Sequence, residues 1–133
     1  MKKAKDATTW SWSEETLQIK VFVWFNNSFP EYRGLLFHVP NGGTRKGFEA
    51  KRFQLMGLVP GVADLLGFIG DPFALELKKP DGTNAQSTVQ KKWEDKFRSQ
   101  GFEYVTMNDF EEIKAYLSKK VENWEWHINQ LRM

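Results

Sequence analysis

Two carboxylates and one lysine at short spacing are the residues of this 133-residue chain best suited to do chemistry. Asp64 opens an apolar run, and Glu76 and Lys78 close a second run that follows the turn Gly70-Asp71-Pro72. Since side chains alternate across a strand, Glu76 and Lys78 point to the same face. Charges at the end of a buried hairpin are costly to desolvate unless something pairs with them. A divalent cation is a natural partner for oxygen ligands.

The apolar pattern also predicts how the two runs pair. With a three-residue loop at 70–72, Leu66 faces Glu76, and Asp64 faces Lys78. The even-numbered positions then carry the charges, and the odd-numbered positions form a core face: Leu65, Ile69, Phe73, Leu75 and Leu77. A two-residue loop would slip the register and exchange the faces. The pattern therefore favours the register that also clusters the charges.

Composition narrows the kinds of site that the chain can carry. Its length suffices for one domain with a core, and 41% hydrophobic and 27% charged residues are typical of a globular protein. The absence of cysteine excludes disulfides, thiolate zinc sites and cysteine nucleophiles. His38 and His127 are too few for a histidine-rich metal site, and His38 with Asn41 lacks the second histidine of an HNH-type pair. Any metal ligands must be mainly oxygens, which indicates Mg²⁺ or Mn²⁺.

Charge and hydropathy indicate the setting. The net charge is +2 and the pI is about 8.8, a weak indication of a polyanionic partner. Basic residues cluster at 2–5, 45–52, 78–79 and 91–98. No apolar run approaches the ~20 residues of a membrane span, and the lysine-rich start lacks the apolar segment of a secretory signal. We expect a cytoplasmic protein.

Hydrophobic periodicity predicts alternating helices and strands. Helices are expected at about 14–27, 45–56, from Gln86 or Ser87 to about 100, and from Asp109 onward. Strands are expected at 35–39, in the hairpin and at 102–106. The order α, β, α, β-β, α, β, α predicts an α/β fold with a three- or four-stranded mixed sheet flanked by helices. The last strand should join in parallel after a helical crossover.

Some local details stay open or are specific enough to test. The first helix has two candidate N-caps, Ser11 and Ser13. In the second helix, Phe48, Met56 and either Arg52 or Phe53 fall along one side. In the third helix the inward residues are expected to be Val89, Trp93 and Phe97.

Several segments in a fixed order carry a resemblance to a known family. They are Glu14 to Gln18, His38 to Arg45, Gly57 to Asp64, Glu76-Leu77-Lys78, Ser87 to Trp93 and Gly101 to Val105. In this order they resemble the VRR-NUC (virus-type replication-repair nuclease) branch of the PD-(D/E)xK nuclease superfamily, over residues 13–118. Its small stand-alone members are typically from phages or bacteria. One departure is Ala63, which replaces the second proline of the family's Pro-Gly-x-Pro-Asp and only loosens the loop.

The resemblance implies a restriction-endonuclease-like core and a metal site. Asp64 and Glu76 would be metal ligands, with the Leu77 backbone carbonyl as a third. Lys78 would position or deprotonate the attacking water, or stabilise the charged transition state. The alternative to a metal site is a surface ion cluster at the end of a strand. The surrounding motifs favour the metal site.

Two helices are expected to complete this site. The resemblance places an acidic residue of the first helix near the metal: Glu14, with Glu15 as the fallback. The alternative is that Glu14 serves only the helix dipole. Gln90 would orient Lys78 or a water from the third helix, unless it is an ordinary surface glutamine.

A set of basic and flexible residues is predicted to contact DNA: Asn41, Gly42, Gly43, Arg45, Lys46, Lys51 and Arg52. Backbone amides in a glycine loop and a guanidinium fork suit a phosphate. The alternatives are a plain turn at 41–43 and a solvated helix face at 45–52.

The residues and the resemblance together predict a Mg²⁺- or Mn²⁺-dependent DNA endonuclease. Its expected substrate is branched DNA such as four-way (Holliday) junctions, and its expected state is a homodimer. We expect an N-terminal tail (1–12), a nuclease domain (13–120) and a C-terminal helical aromatic extension (121–133) that supplies the dimer surface if it is exposed. The alternative hypotheses are a non-catalytic nucleic-acid-binding protein and a partner-dependent component on the same fold.

Overall fold

The computed structural model describes residues 13–40, 47–79 and 86–133. Its elements follow the predicted order of helices and strands. They are α1 (Glu14–Ser28), a 3₁₀ turn (Pro30–Tyr32), β1 (Leu36–His38), α2 (Gly47–Leu55), β2 (Leu65–Phe68), β3 (Pro72–Leu77), α3 (Thr88–Ser99), β4 (Glu103–Met107) and α4 (Phe110–Leu131). None of the described helices is long and apolar enough to cross a membrane.

The four strands form one mixed sheet in the order β1-β2-β3-β4. The pairs β1–β2 and β2–β3 are antiparallel, whereas β3–β4 is parallel. A parallel pair needs a crossover connection, and α3 provides it here. The predicted α/β class and the parallel last strand are therefore confirmed, and β3, which carries Glu76, lies inside the sheet.

The predicted hairpin register is wrong, because the turn lies one residue earlier in the chain than predicted. Leu65 pairs with Leu75, and Phe68 pairs with Pro72, so the three-residue loop is 69–71 and not 70–72. Ile69 is buried in this loop, and Gly70 supplies its positive φ of 70°. Burying Ile69 in the core is more favourable than pairing it with the opposite strand, so Ile69 belongs to the loop. Continued by one residue, this register places Asp64 opposite Glu76 instead of Lys78.

The two faces of the hairpin survive that shift, since each strand keeps its own alternation of side chains. The odd-numbered face is a core face, as predicted, and it packs against α1 and α4. Its core contains Leu17, Val21, Phe25, Leu36, Leu65, Ile69, Phe73, Leu75, Leu77, Ile113, Leu117 and Val121. The even-numbered face packs against α3 through Ala63, Ala74 and Tyr104, with Leu66, Trp93 and Phe97 half-buried around them. The face that carries Asp64 and Glu76 is thus covered by a helix.

Side-chain caps begin three of the helices. Ser13 caps α1 by accepting a hydrogen bond from the Thr16 N–H, which selects it over Ser11, a residue outside the described ranges. Ser87 caps α3, and Asp109 caps α4. Each cap satisfies a backbone N–H that the helix leaves unpaired. These caps fix where the helices start relative to the sheet.

Helix α2 differs from the others in its packing. None of its nine described residues is buried. Phe48 is 84% exposed, Met56 just after the helix is also exposed, and only Ala50 and Phe53 are half-buried. The side that carries Phe48 and Met56 therefore faces solvent, whereas Phe53 turns toward the protein.

Helix α4 runs without a break past residue 120, the predicted end of the nuclease domain. Val121 is buried and Trp124 packs on the core, whereas Trp126 is 64% exposed. The division at residue 120 stays a prediction.

Two glycines with the same backbone conformation test how tightly the loop before β2 packs. Gly61 and Gly101 both have φ of 86°, but only at Gly61 would a Cβ meet a neighbour, 2.5 Å from the Val89 carbonyl oxygen. Gly101→Ala should add left-handed strain of about 1–2 kcal/mol. Gly61→Ala should lower the free energy of unfolding by about 1–3 kcal/mol more, through overpacking. Urea denaturation of both variants checks this, and equal losses would contradict the packing.

Candidate active site

Asp64 is held between two strands immediately before β2 begins. The Leu77 N–H of β3 donates to Asp64 Oδ2 at 2.7 Å. On the other side, His38 Nδ1 at the end of β1 lies 2.7 Å from the Asp64 backbone carbonyl oxygen. A protonated Nδ1 donates that bond, so the main chain and the carboxylate of Asp64 are each fixed by a neighbouring strand. Sequence reasoning treated His38 as an ordinary strand residue and missed this contact.

Glu76 is the most deeply buried charged residue of the described chain, at 1% exposure. Its Oε2 accepts a hydrogen bond from Gln90 Nε2 at 2.9 Å and lies 3.5 Å from Lys78 Nζ. Its Oε1 is buried and has no hydrogen-bond partner among the described residues. A buried carboxylate oxygen without a partner is unfavourable, so this atom favours a bound cation or a hydrogen-bond donor.

Burial and electrostatic repulsion act together on the two carboxylates. Desolvation, followed by the nearby Asp64 charge, raises the pKa of Glu76 to about 7, against the opposing effect of Lys78. Desolvation also raises the pKa of Asp64, although the hydrogen bond from Leu77 lowers it. One lysine therefore does not compensate two carboxylates, and the site favours additional positive charge.

Gln90 reaches Glu76 because the start of α3 fixes its side chain. Ser87 and Gln90 form a reciprocal capping box: Gln90 Oε1 accepts from the Ser87 N–H at 2.8 Å, and Ser87 Oγ accepts from the Gln90 N–H at 3.1 Å. Because Gln90 Oε1 already accepts a hydrogen bond at the start of the helix, Nε2 of the same amide is the atom that donates to Glu76. Gln90 therefore joins the helix start to the site.

Glu14 also lies within electrostatic range of the pair. It is half-buried in the first turn of α1, and its pKa is raised by desolvation and then by the charge of Asp64, against Lys78 and Lys79. Glu15 is exposed. Glu14 is therefore close enough to Asp64 for the two charges to interact.

A buried polar network beside the site was not anticipated from the sequence. Gln86 Nε2 donates to Glu94 Oε1 at 2.8 Å and to Tyr104 Oη at 3.4 Å, and Arg98 Nε donates to Glu94 Oε2 at 2.7 Å. Burial raises the pKa of Glu94, but the bonds from Gln86 and Arg98 outweigh it and leave the pKa lowered. The i,i+4 spacing of Glu94 and Arg98 was the available signal. The network ties α3 to β4 under the same face as Glu76.

The predicted DNA-contacting residues are divided by the described ranges. Asn41, Gly42, Gly43, Arg45 and Lys46 lie outside the described residues. Lys51 and Arg52 are exposed on α2 and do not join the Asp64–Glu76 cluster of contacts. Contact of all seven with DNA stays a prediction.

The donor set fits a hard cation bound through few protein ligands. In the described ranges, no group of three or more histidine, aspartate or glutamate side chains is arranged to hold a metal ion. Mg²⁺ commonly takes only one or two carboxylates and completes its shell with waters and substrate phosphates. Asp64 and the unpartnered Glu76 Oε1 would meet that requirement, and all three predicted ligands, Asp64, Glu76 and the Leu77 carbonyl, stay predictions.

Comparison with known proteins supports the fold. No protein-family model matches the sequence, and no curated protein is similar to it. A solved structure described as a VRR_NUC domain protein superposes with a TM-score of 0.64 at 21% identity, over 83% of this chain and 88% of that chain. At that identity the likeness shows the fold alone, and it confirms the predicted α/β core with a mixed sheet flanked by helices.

The raised pKa of Glu76 predicts an unusual pH dependence of stability. Without metal, the folded protein keeps a proton on Glu76 between about pH 4.5 and about 7 that the unfolded chain has lost. The free energy of unfolding should therefore fall as pH rises across this range. Glu76→Gln removes the effect, so its melting temperature should exceed that of the unaltered protein by more at pH 8 than at pH 5.

Thermal unfolding in chelator at the two pH values measures this difference. Glu94→Gln is the matched control, because the pKa of Glu94 is lowered below 4.5 and the group is largely ionised at both pH values, so its effect on the melting temperature should be nearly the same at pH 5 and at pH 8. An equal effect of Glu76→Gln at both pH values would refute the raised pKa.

Proposed function

We propose that this chain is a metal-dependent DNA endonuclease that hydrolyses phosphodiester bonds with Mg²⁺ or Mn²⁺. The observation that carries the proposal is the buried Glu76 with its unpartnered Oε1, opposite Asp64 and beside Lys78. A nuclease-like fold is the setting in which such a pair has a use. A buried carboxylate oxygen without a partner, on a glutamate whose pKa is raised to about 7, is more typical of a functional site than of a structural ion cluster.

Each residue of the site has a distinct part in this proposal. Asp64 and Glu76 would hold the ion, which supplies a water of lowered pKa and stabilises charge on the phosphate. Lys78, 3.5 Å from Glu76, provides the fixed positive charge that faces the transition state or positions the water. Gln90 holds Glu76 in one orientation, and Glu14 adds negative charge on the side of α1. Loss of a group that orients a ligand typically reduces activity about 10–100-fold.

The substrate and assembly are finer parts of the proposal and rest on the family resemblance. We propose branched DNA, with four-way junctions as the preferred form, and a homodimer that presents two sites to two strands. The place of action would be the cytoplasm of a bacterial or phage-infected cell. In the described chain, the exposed Trp126 of α4 offers a surface for the second copy.

Cleavage assays test the proposed chemistry. The purified chain should nick or cut four-way junction DNA in Mg²⁺ or Mn²⁺ and should be inactive in chelator. Asp64→Ala, Glu76→Ala and Lys78→Ala should each lower the rate by about 10²–10⁴-fold. Gln90→Ala should lose about 10–100-fold.

Glu15→Ala is the matched control for these variants, because Glu15 is an exposed carboxylate one residue from Glu14. Its rate should equal that of the unaltered protein. Cleavage that survives chelator or all three main substitutions would exclude this mechanism. Tight DNA binding without cleavage would favour the non-catalytic alternative, and activity that appears only with a second protein would favour the partner-dependent one.

Sedimentation tests the proposed dimer. Each chain has a mass of 15.6 kDa, so the dimer is twice that mass. Trp126→Ser should raise the dimer dissociation constant by at least tenfold, since buried tryptophans often carry 2 kcal/mol or more of binding energy, or about 30-fold. His127→Ser, which alters the next exposed residue of α4, serves as the control. A monomer at all concentrations would refute the homodimer, and an unaltered dimer would refute this surface.

A further inference from the structure

Helix α2 presents an unusual combination of side chains to solvent. Phe48, Lys51, Arg52 and Leu55 follow the spacing i, i+3, i+4, i+7, which places them on one side of the helix. We call these four residues the outer face of α2. All four are exposed, Phe48 to 84% and Leu55 to 80%.

This arrangement is the reverse of an ordinary surface helix. Such a helix turns its apolar stripe to the core and its charges to water. Here the two half-buried residues, Ala50 and Phe53, lie on the opposite side, and a large aromatic and a leucine are left in water. A helix of nine residues is marginal alone and depends on packing. The outer face of α2 therefore has the character of a contact surface.

The topology places both ends of the connection that contains α2 at the candidate site. β1 ends at His38, which pairs with Leu65 at the start of β2. The connection that contains α2 thus leaves and re-enters the sheet at the end that holds Asp64 and Glu76. Its return loop packs Gly61 against Val89, the neighbour of Gln90. A DNA strand with its phosphate at the site would pass close to α2.

The chemistry of the outer face matches a partner that offers both phosphates and exposed ring faces. Lys51 and Arg52 suit phosphates, which provide most of the affinity of a protein for DNA. Phe48 suits the face of an unstacked base, and apolar side chains such as Leu55 insert at disrupted base steps. An intact duplex hides its base faces, whereas a branch point exposes them.

We propose that the outer face of α2 selects branched DNA for this site. Lys51 and Arg52 bind backbone phosphates in any DNA, and Phe48 and Leu55 contact the base faces that only a branch exposes. The inference rests on the proposed function, because it takes DNA as the substrate.

Equilibrium binding in chelator separates recognition from cleavage. The probes are a four-way junction and a linear duplex of the same sequence content. Phe48→Ser/Leu55→Ser should reduce the preference for the junction about tenfold, the loss expected for one base-stacking contact. Lys51→Ala/Arg52→Ala should weaken binding to both DNAs and reduce the salt dependence by about two phosphates.

Leu131→Ser is the matched control, because Leu131 is 72% exposed but lies at the far end of α4. It should leave the preference unchanged. Phe48→Leu keeps an apolar side chain and removes the ring face, so it should also lower the preference. If the double serine variant does not fold, the junction preference of Phe48→Leu tests the proposal in its place.

Parallel assays with Mg²⁺ distinguish this inference from the proposed function. If the unaltered protein cleaves DNA but the Phe48 and Leu55 variants keep the full junction preference, the inference is wrong and the nuclease stands. If the variants instead become monomeric with unchanged preference, the outer face joins two copies of the chain, which also overturns it. If the unaltered protein binds no DNA, both proposals fall.

Discussion

Two carboxylates lie close together in a largely buried place at the end of the β2–β3 hairpin. The electrostatic repulsion between them is the constraint on which the site depends. Asp64 and Glu76 lie opposite each other at this end of the ladder, and Lys78 Nζ lies 3.5 Å from Glu76 Oε2. Burial makes this arrangement unfavourable unless protons or a cation neutralise it. The raised pKa of Glu76 and its unpartnered Oε1 are two consequences of the same deficit of positive charge.

Helix α3 is the element that makes the arrangement rigid. It covers the face of the sheet that carries both carboxylates, and its capping box leaves the Gln90 amide pointing at Glu76. The Glu94 network anchors the middle of the helix to β4. A helix start, which must be capped for its own stability, thereby becomes part of the site. Local helix stability and the orientation of Glu76 are coupled through one side chain.

The other three helices differ in how they pack: two of them pack on the sheet, and one is exposed to solvent. α1 and α4 bury the opposite face of the sheet and supply six of the thirteen buried residues of its core. α2 supplies almost none of it, although both ends of its connection are fixed at the site. Such a division is expected of a protein whose substrate is large, because a rigid scaffold positions the chemistry while exposed elements contact the rest of the ligand.

The sequence by itself determined the order of elements, the class of the fold and the two faces of the hairpin. Periodicity of two in a strand and of about 3.6 in a helix is a local property, so Asp64, Glu76 and Lys78 could be assigned to one face from spacing alone. It did not determine the turn, because burial of Ile69 is a long-range effect. Nor could it show that Phe48 faces solvent, since a periodic pattern identifies one side of a helix but not what lies against it.

Contacts between distant residues were likewise decided only in the tertiary structure. His38 meets Asp64 because β1 and β2 pair, and Gln86 meets Tyr104 because α3 returns the chain beside β3. The raised pKa of Glu76 also needs the fold, since burial and the approach of Asp64 both arise from packing. The sequence determined which residues could do chemistry, and the packing of distant segments determined their charge state and their partners.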